Sequence, residues 1–522
     1  MKLKYLLIIT SSLTITSCSD FLDVKPVGKL IPTQIEEFEN LLNNESTIKY
    51  HFMDNNNTSF YSMLADNLAI SENQDKFKYV SSYVNKDVYA AYTFNLPYES
   101  PIKPQYTWES GIYKAVGIFN NVIEGIEGLS GAAGTENGKA VIAQAKAGRA
   151  WSYMVGGLGY GPMYNPNGDN STRTIPYRTS GDPTVANPDL ATTAQLMQLV
   201  KKDLDDALDA PENVVNPCRA NKAAVYALRA EYFMYMRDWP NMLKEASEAW
   251  KRSLALKGSV DNMIYDFNQF HYKDDPNAQP AEGTDKELSL DLLGQDLLIN
   301  QSMNRENLFY RTTPAGCTTS NGQATYYPSD DFLALFDPAT DRRYQLFALR
   351  ILGYSTTVGG IKYEDGIKRT FCHSAKMLTN QGITYPQLLL MKAEAEARTS
   401  DKTNALKDLN LLRKYRYSGD NVELPNGSLL SEDELLYEIL KERRRELPIS
   451  SYQRTHDIKR YVYDTGKPWC QTTITHQIGE KTYSAPVDNQ YYTLPKANAI
   501  IEKNPQWGLE IDNRPYDPLG KK

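Results

Sequence analysis

The sequence is poor in the residue types that build metal centres and nucleic-acid surfaces. Its 522 residues include five cysteines and five histidines, and neither set shows a metal-ligand spacing such as C-x-x-C. The formal net charge of −7 argues against a nucleic-acid backbone as the main partner, because phosphate binding requires concentrated lysine and arginine. Apolar runs also stay below the roughly 18–20 residues of a membrane-spanning helix. We therefore predict a globular chain without a metal or a nucleic-acid partner.

The common catalytic signatures are also missing. The sequence has no G-x-S-x-G, H-E-x-x-H or P-loop pattern. The glycine-rich run at 156–161 follows a predicted helix and precedes Pro162, so it lacks the strand–turn–helix context of a dinucleotide site. A glycosidase needs two carboxylates facing each other across a cleft, but pairs such as Asp330 and Asp331 arise by chance among 64 acidic residues. We predict no catalytic residue and no cofactor.

The N-terminus has the pattern of an exported lipoprotein. Lys2 and Lys4 precede an apolar stretch at 5–15, and Ile15-Thr16-Ser17-Cys18 then resembles a bacterial lipobox. We predict that residues 1–17 are a signal peptide and that Cys18 carries the lipid, since several acyl chains on one residue anchor a protein firmly. The alternative is an ordinary signal peptide with an unmodified cysteine.

The other four cysteines allow two interpretations. Cys218, Cys317, Cys372 and Cys470 are widely separated in the sequence. In an exported protein they can form two disulfides, with three possible connectivities. Free thiols are the alternative, and the sequence does not decide between them.

Helical periodicity dominates much of the chain. Apolar residues recur at spacings of three and four from Trp108 to Ile123. A second helix is predicted over about 136–155, stopping at the glycines 156, 157, 159 and 161. Residues 221–256 and 384–416 each read as two helices with small residues on their facing sides. This resembles the tetratricopeptide pattern of about 34 residues. A further helix is predicted over 435–447.

Two long stretches lack this periodicity. Residues 45–106 are rich in asparagine, tyrosine and proline, and about 258–380 mixes short strand-like pieces with loops. Loops of such length in a compact protein are usually functional. We predict one mainly α-helical domain over 18–522, with an N-terminal part at about 18–210. Helical hairpins at about 108–256 and 384–447 form its scaffold, and the long irregular insertions, including about 258–380, form its ligand-binding half.

Several motifs in a fixed order resemble the SusD/RagB family of outer-membrane nutrient-binding lipoproteins. They are "CSDFLDVKP" after the lipobox, W-x4-Y-x3-G-x2-N-N-x-I at 108–123, "RAWSYMVGGLGYGPM" at 149–163, "ERRREL" at 442–447 with R-x2-D-I-K-R-Y at 454–461, and "YTLPKANAIIEKNPQW" at 492–507. One departure is the segment 448–452, "PISSY", where the family has an aromatic-Glu-Gly step. We predict that "ERRRE" forms a buried salt-bridge network and not a ligand site.

The resemblance implies a non-enzymatic protein with a tetratricopeptide scaffold. Family members are lipid-anchored at the outer membrane, face the cell exterior, and close as lids over SusC-like TonB-dependent transporters. They capture glycan nutrients and deliver them to the transporter. Two alternatives remain: a peptide-binding member of the family, or a mainly structural lid with little ligand affinity of its own.

A glycan site needs aromatic faces for the apolar side of a sugar, and polar groups for its hydroxyls. The chain has 36 tyrosines against 15 phenylalanines and 6 tryptophans, which favours exposed tyrosine surfaces over the alternative of a tyrosine-rich core rim. We predict ligand contacts in the irregular stretches from two sets of residues. The first is Asp66, Asn67, Tyr92 and Tyr98, and the second is Cys317, Tyr326 and Tyr327, together with Tyr363.

Overall fold

The structure is a computed structural model. It describes residues 32–50, 60–70, 72, 86–103, 106–272, 288–289, 301–313, 326–352, 355–364, 368–372, 380–449 and 451–519. Cys18 and Cys317 lie outside these residues, and the division into a signal peptide and one domain stays a prediction. Within the described part of the chain, no helix has both the length and the apolar character to cross a bilayer.

Helices form most of the described chain, as the sequence predicts. They are α1 (Ile35–Leu41), α2 (Glu45–Ile48), α3 (Lys86–Tyr92), α4 (Tyr106–Trp108), α5 (Lys114–Gly128), α6 (Glu136–Gly159), α7 (Thr193–Asp206), α8 (Lys222–Met236), α9 (Trp239–Lys257), α10 (Asp330–Leu333), α11 (Arg342–Phe347), α12 (Tyr385–Arg398), α13 (Lys402–Arg413), α14 (Glu432–Glu446), α15 (Tyr452–Tyr461) and α16 (Asn498–Glu502). A π-helical turn over Glu109–Tyr113 joins α4 to α5.

Two helical hairpins confirm the tetratricopeptide-like prediction. Between α8 and α9 the chain reverses at Arg237, which has a left-handed backbone (φ 59°), and Asp238 caps α9 by accepting from the Asn241 amide. Ala227 and Ala246 are fully buried, so the two helices approach closely. The second hairpin is α12 with α13, and α12 also packs against α9 and α14. The two hairpins therefore stack side by side although 127 residues separate α9 from α12.

Helix α6 continues through Gly156 and Gly157, the first two of the glycines at which it was expected to stop. It runs to Gly159 because these positions are used for close packing and not for a turn. A Cβ atom at Gly156 would lie 2.4 Å from the Ile112 side chain, and one at Gly157 would lie 2.2 Å from Leu196. The glycines let α6 contact its neighbours on two sides.

Short two-stranded antiparallel ladders tie the irregular segments together. The strands are β1 (Leu68–Ile70), β2 (Arg173–Pro176), β3 (Leu190–Thr192), β4 (His271–Tyr272), β5 (Leu288–Ser289), β6 (Asn307–Phe309), β7 (Tyr326–Pro328), β8 (Ala348–Leu352), β9 (Ser355–Val358), β10 (Ile361–Glu364), β11 (Lys368–Cys372), β12 (Ile383–Thr384), β13 (Thr473–Ile478) and β14 (Lys481–Pro486). The pairs are β1–β7, β2–β3, β4–β5, β6–β12, β8–β11, β9–β10 and β13–β14. The β1–β7 ladder joins the N-terminal loops to the central insertion.

The "ERRRE" turn of α14 forms the buried salt-bridge network that the sequence predicts. Glu442 is fully buried, accepts a hydrogen bond from Arg445 at 2.6 Å and forms an ion pair with Arg343 at 2.7 Å. Arg443 bonds Asp457 at 2.9 Å. One helical turn thereby fixes several distant segments, because each buried charge needs a partner of opposite sign.

Tyrosines are mainly a core feature, which corrects the expectation of exposed tyrosine surfaces. The buried ones are Tyr50, Tyr61, Tyr89, Tyr92, Tyr98, Tyr153, Tyr160, Tyr177, Tyr232, Tyr235, Tyr265, Tyr310, Tyr326, Tyr385, Tyr415, Tyr417, Tyr452, Tyr461 and Tyr492. Many of their hydroxyls donate to backbone carbonyls, as Tyr492 does to Leu64 at 2.9 Å. Such a bond lets the ring be buried without leaving the hydroxyl unpaired.

Two of the four cysteines after Cys18 are free thiols. Cys218 is buried and Cys470 is partly buried, and neither is bonded to another cysteine. Two disulfides would need all four cysteines, so that alternative is wrong.

Glu231 on α8 provides a test of stability against pH. It is 2% exposed and its Oε2 has no hydrogen-bond partner. Burial raises its pKa from 4.5 to about 7, Arg443 opposes this and Asp457 adds to it. The folded chain therefore keeps a proton that the unfolded chain releases, so this group makes stability fall as pH rises from about 4.5 to about 7.

Glu231→Gln is expected to remove this loss of stability at higher pH, because glutamine does not titrate. We expect a gain of about 1–3 kcal/mol in unfolding free energy at pH 8 and little change near pH 4.5, measured by urea unfolding. Glu502→Gln, at an exposed position, is the control and should show no such difference. A Glu231→Gln variant no more stable than the parent at pH 8 would contradict this account.

Candidate ligand-binding cleft

An open cleft of about 620 Å³ lies where β1, β7, the end of α3 and the β13–β14 hairpin meet. We call it the Tyr92 cleft. Its lining residues are Asp66, Leu68, Ala69, Glu72, Tyr92, Tyr327, Ser329, Asp330, Asp331, Gln471, Thr473, Ile474, Thr475, His476, Gln477 and Gly479. The lining is predominantly polar and comes from three parts of the chain that are far apart in sequence.

Backbone pairing brings the first two parts together. In the β1–β7 ladder Ala69 lies opposite Tyr327, and the Tyr327 hydroxyl donates to the Ile70 carbonyl at 3.3 Å. The Ser329 amide donates to the Asn67 carbonyl at 2.8 Å, and its hydroxyl donates to the Asp66 carbonyl at 2.6 Å. The same hydroxyl accepts from the Phe332 amide and caps α10. One side of the cleft is therefore held by the main chain.

Asp66 is fixed by two arginines. Arg454 donates to both of its carboxylate oxygens at 2.8 Å, and Arg444 lies 3.2 Å away. Burial alone raises the pKa of Asp66, but Arg454 and Arg444 outweigh it and lower the pKa well below its ordinary value. The Asp66 carboxylate therefore stays ionised at neutral pH and keeps its orientation at the edge of the cleft.

The hairpin forms the third part of the cleft. The Tyr92 hydroxyl donates to the Gln477 carbonyl at 3.1 Å, and the Tyr92 ring stacks on His476 at 4.3 Å. Along β13 exposed and buried residues alternate, so that Thr473, Thr475 and Gln477 face outward. These contacts dock the hairpin on α3 and leave its polar side chains at the rim.

Several polar groups of the cleft are available to a ligand. Glu72 and Asp330 are exposed, and Asp331 is largely exposed although Arg444 bonds it at 2.8 Å. The Gln471 Oε1 atom is shielded from solvent and has no hydrogen-bond partner. The described lining contains no lysine or arginine. The arrangement can accept hydrogen bonds from several hydroxyls, and its exposed charge is negative.

Three of the sequence-predicted residues meet in the cleft: Asp66, Tyr92 and Tyr327. The others are placed differently. Asn67 is buried and bonds Arg444 and the Ile449 carbonyl; Tyr98 is buried and donates to the Tyr491 carbonyl; and Tyr326 is buried in the core. Tyr363 belongs to β10, where its backbone pairs with Thr356, and its side chain is not among the described features. Cys317 lies outside the described residues.

Sequence reasoning missed Glu72, Gln471 and the outward side chains of β13. The alternation in "TITHQI" at 473–478 is a strand signal, and it could have identified the hairpin. No local pattern indicates that this hairpin packs against residues 65–72, because that contact spans about 400 residues of sequence.

A second cavity of about 1240 Å³ lies between residues 102–117, residues 178–187 and α16. Its tryptophan offers little surface to a ligand, because Trp108 is 7% exposed and packs against Tyr160 and Trp507. The Arg178 guanidinium donates to the Val185 carbonyl at 2.6 Å and to Asn187 Oδ1 at 3.1 Å. The Arg178 guanidinium is thus engaged by the loop at 178–187 and is not free for a ligand. The Tyr92 cleft is therefore the better candidate site.

Comparison with known proteins supports the fold. The sequence model of the SusD family matches residues 383–513, and the search of curated proteins gave no match. A SusD superfamily protein from Bacteroides thetaiotaomicron is 18% identical, with a TM-score of 0.61 over 90% of this chain and 98% of the other.

Two structures from Bacteroides vulgatus are similar to a comparable degree. A SusD superfamily protein is 16% identical, with a TM-score of 0.62, over 91% of this chain and 98% of the other. A SusD-like carbohydrate binding protein is 16% identical, with a TM-score of 0.54, over 91% and 97%. At these identities the likeness concerns the fold. The chain therefore shares the SusD fold over about nine tenths of its length, and its residues 383–513 match the SusD family model.

Proposed function

We propose that this chain is a binding protein that captures carbohydrate in the Tyr92 cleft. The observation that carries the proposal is the cleft itself, where the partly exposed ring of Tyr327 adjoins hydrogen-bond acceptors from Asp66, Glu72, Asp330 and Gln471. Sugars combine apolar ring faces with many hydroxyl donors, so this combination suits them. The similarity to a SusD-like carbohydrate binding protein supports the same ligand class.

We further propose that the protein works at the cell surface, anchored in the outer membrane through lipid on Cys18, and passes glycan to a SusC-like TonB-dependent transporter. The lipobox pattern supports the anchor. The stacked helical hairpins support a protein partner, since such scaffolds present extended interaction surfaces. In this proposal the protein has no catalytic step.

Titration of the full-length chain in detergent against neutral glycans, acidic glycans and a peptide digest tests the ligand class. Saturable binding of a glycan supports the proposal. Binding of peptide alone would favour the peptide-binding alternative, and no binding by folded protein would favour a mainly structural lid.

The charge of the cleft predicts a preference among glycans. Because Glu72 and Asp330 are exposed and the described lining has no basic side chain, a neutral glycan should bind more tightly than a uronic-acid glycan of the same length. In Glu72→Gln/Asp330→Asn this preference should shrink by roughly three- to tenfold, the scale of two exposed charge interactions. Calorimetric titration at low ionic strength measures it.

A matched control removes the same number of negative charges at positions outside the cleft. Glu502→Gln/Asp420→Asn alters two exposed acidic residues outside the cleft and should leave the preference unchanged. If both double variants shift it equally, overall charge and not the cleft is responsible.

A further inference from the structure

His476 makes a pair of contacts that a neutral imidazole cannot satisfy. It is 3% exposed. Its Nδ1 lies 2.8 Å from the Tyr92 carbonyl oxygen, and its Nε2 lies 2.9 Å from the Ala65 carbonyl oxygen. A carbonyl oxygen only accepts, whereas a neutral imidazole has one N–H donor and one acceptor nitrogen. Both contacts are hydrogen bonds only when both ring nitrogens carry protons.

The surroundings of the ring suit a cation. The His476 ring lies between the rings of Tyr92, at 4.3 Å with planes 8° apart, and Phe94, at 4.7 Å with planes 12° apart. An aromatic face attracts a positive charge. Burial lowers the pKa of His476 below its ordinary value, and the bonds to the Tyr92 and Ala65 carbonyls and the Asp66 carboxylate offset this only in part. The two carbonyl contacts oppose that direction, because each of them needs an N–H donor on the ring.

The other charged and titratable groups near the ring are few. Asp66 is held by Arg454 and Arg444. Across the hairpin, Tyr483 is the ladder partner of His476, and the rings of Tyr491 and Tyr492 pack against Phe94. At the rim of the cleft, Glu72 approaches Gly479. No lysine or arginine is among the cleft-lining residues in the described part of the chain.

We propose that His476 is a doubly protonated positioning residue, which clamps the backbone of Tyr92 and of Ala65, next to Asp66, to the β13–β14 hairpin and so shapes the Tyr92 cleft. Loss of one proton removes one of the two bonds and releases one wall of the cleft. Ligand binding at this cleft, which is the proposed function, should therefore weaken as the ring is deprotonated.

The protonation state can be measured without any ligand. In the full-length chain labelled with ¹⁵N-histidine, His476 should show two protonated nitrogens at pH 7, with His476→Gln assigning the signal. His456 is the internal control: it is fully buried, neither ring nitrogen has a partner, and burial lowers its pKa well below the ordinary value. It should be neutral at pH 7. A single protonated nitrogen on His476 at pH 7 would overturn the proposal.

The effect on the cleft has its own test. Glycan affinity should fall by about threefold or more between pH 6 and pH 8.5 in the parent chain, and His476→Gln should bind more weakly with no such pH profile. An unchanged profile in His476→Gln would refute the positioning role. If no glycan binds at all, the proposed function fails, while the nitrogen measurement still decides the state of His476. If His476→Gln does not fold, the spectrum and pH profile of the parent chain decide.

Discussion

Replacing Arg460 with methionine should lower the free energy of unfolding by about 3–5 kcal/mol, the cost of leaving a buried charge without its partner. Arg460 is fully buried on α15 and donates to both carboxylate oxygens of Glu394, at 2.6 and 2.9 Å. It also donates to Asp457 at 2.8 Å. Methionine fills a similar volume but offers no donor, so two buried carboxylates lose bonds that water cannot replace.

The position of Arg460 explains why the effect should be global. Glu394 lies on α12 of the second hairpin, and Asp457 also accepts from Arg443 of α14. The arginine therefore ties three helices of the scaffold through charges that are shielded from solvent.

Urea unfolding of the full-length chain in detergent measures this change. Arg514→Met is the control, because Arg514 pairs with Asp512 at 2.6 Å while 53% of its side chain is exposed, and such pairs contribute about 0–1 kcal/mol. Equal losses in the two variants would show that burial of the Arg460 network does not contribute as argued.

Tyr327→Ala should weaken glycan binding roughly tenfold, the usual scale for removing a tyrosine at the centre of an interface. Tyr327 is partly exposed, lines the cleft and follows buried Tyr326 on the other side of the strand. Alanine at 327 keeps the β1–β7 backbone pairing but removes the ring that a sugar face would contact. Tyr327→Phe keeps the ring and should lose far less affinity.

Calorimetric titration with the glycan that binds the parent chain measures the affinity of both variants, and thermal unfolding checks that they fold. Tyr226→Ala is the matched control, since this partly buried tyrosine lies on α8 beneath Arg252 and outside the cleft. Unchanged affinity in Tyr327→Ala would remove the main support for glycan capture at this site.

Placement decides which tyrosines are worth testing. Tyr98 has the same sequence context of an irregular, tyrosine-rich stretch, but it is 1% exposed and its hydroxyl is bonded to Tyr491. An alanine there would create a core cavity, and any loss of binding would report misfolding. Only substitutions of cleft residues with exposed surface can therefore report on ligand binding without disturbing the core.

The sequence alone determined the scaffold, because its information is local. Helical periodicity and small residues at the hairpin contacts act within a few turns of the chain. The crowded charges at 442–446 also indicated their own pairing, since buried charges require partners. Helix α6 ends within the predicted glycine run, at Gly159, but it includes Gly156 and Gly157, because these two glycines pack closely against Ile112 and Leu196.

Only the tertiary structure decided which polar residues form a site. Asp66 and Asn67 are neighbours in sequence, yet Asp66 lines the cleft while Asn67 bonds Arg444 and the Ile449 carbonyl in the interior. The β13–β14 hairpin completes the cleft through contacts of His476 with Tyr92 and Ala65, which lie 384 and 411 residues earlier in the sequence. Such contacts form when buried polar groups find partners across the folded core, and no local sequence pattern records which partner each group finds.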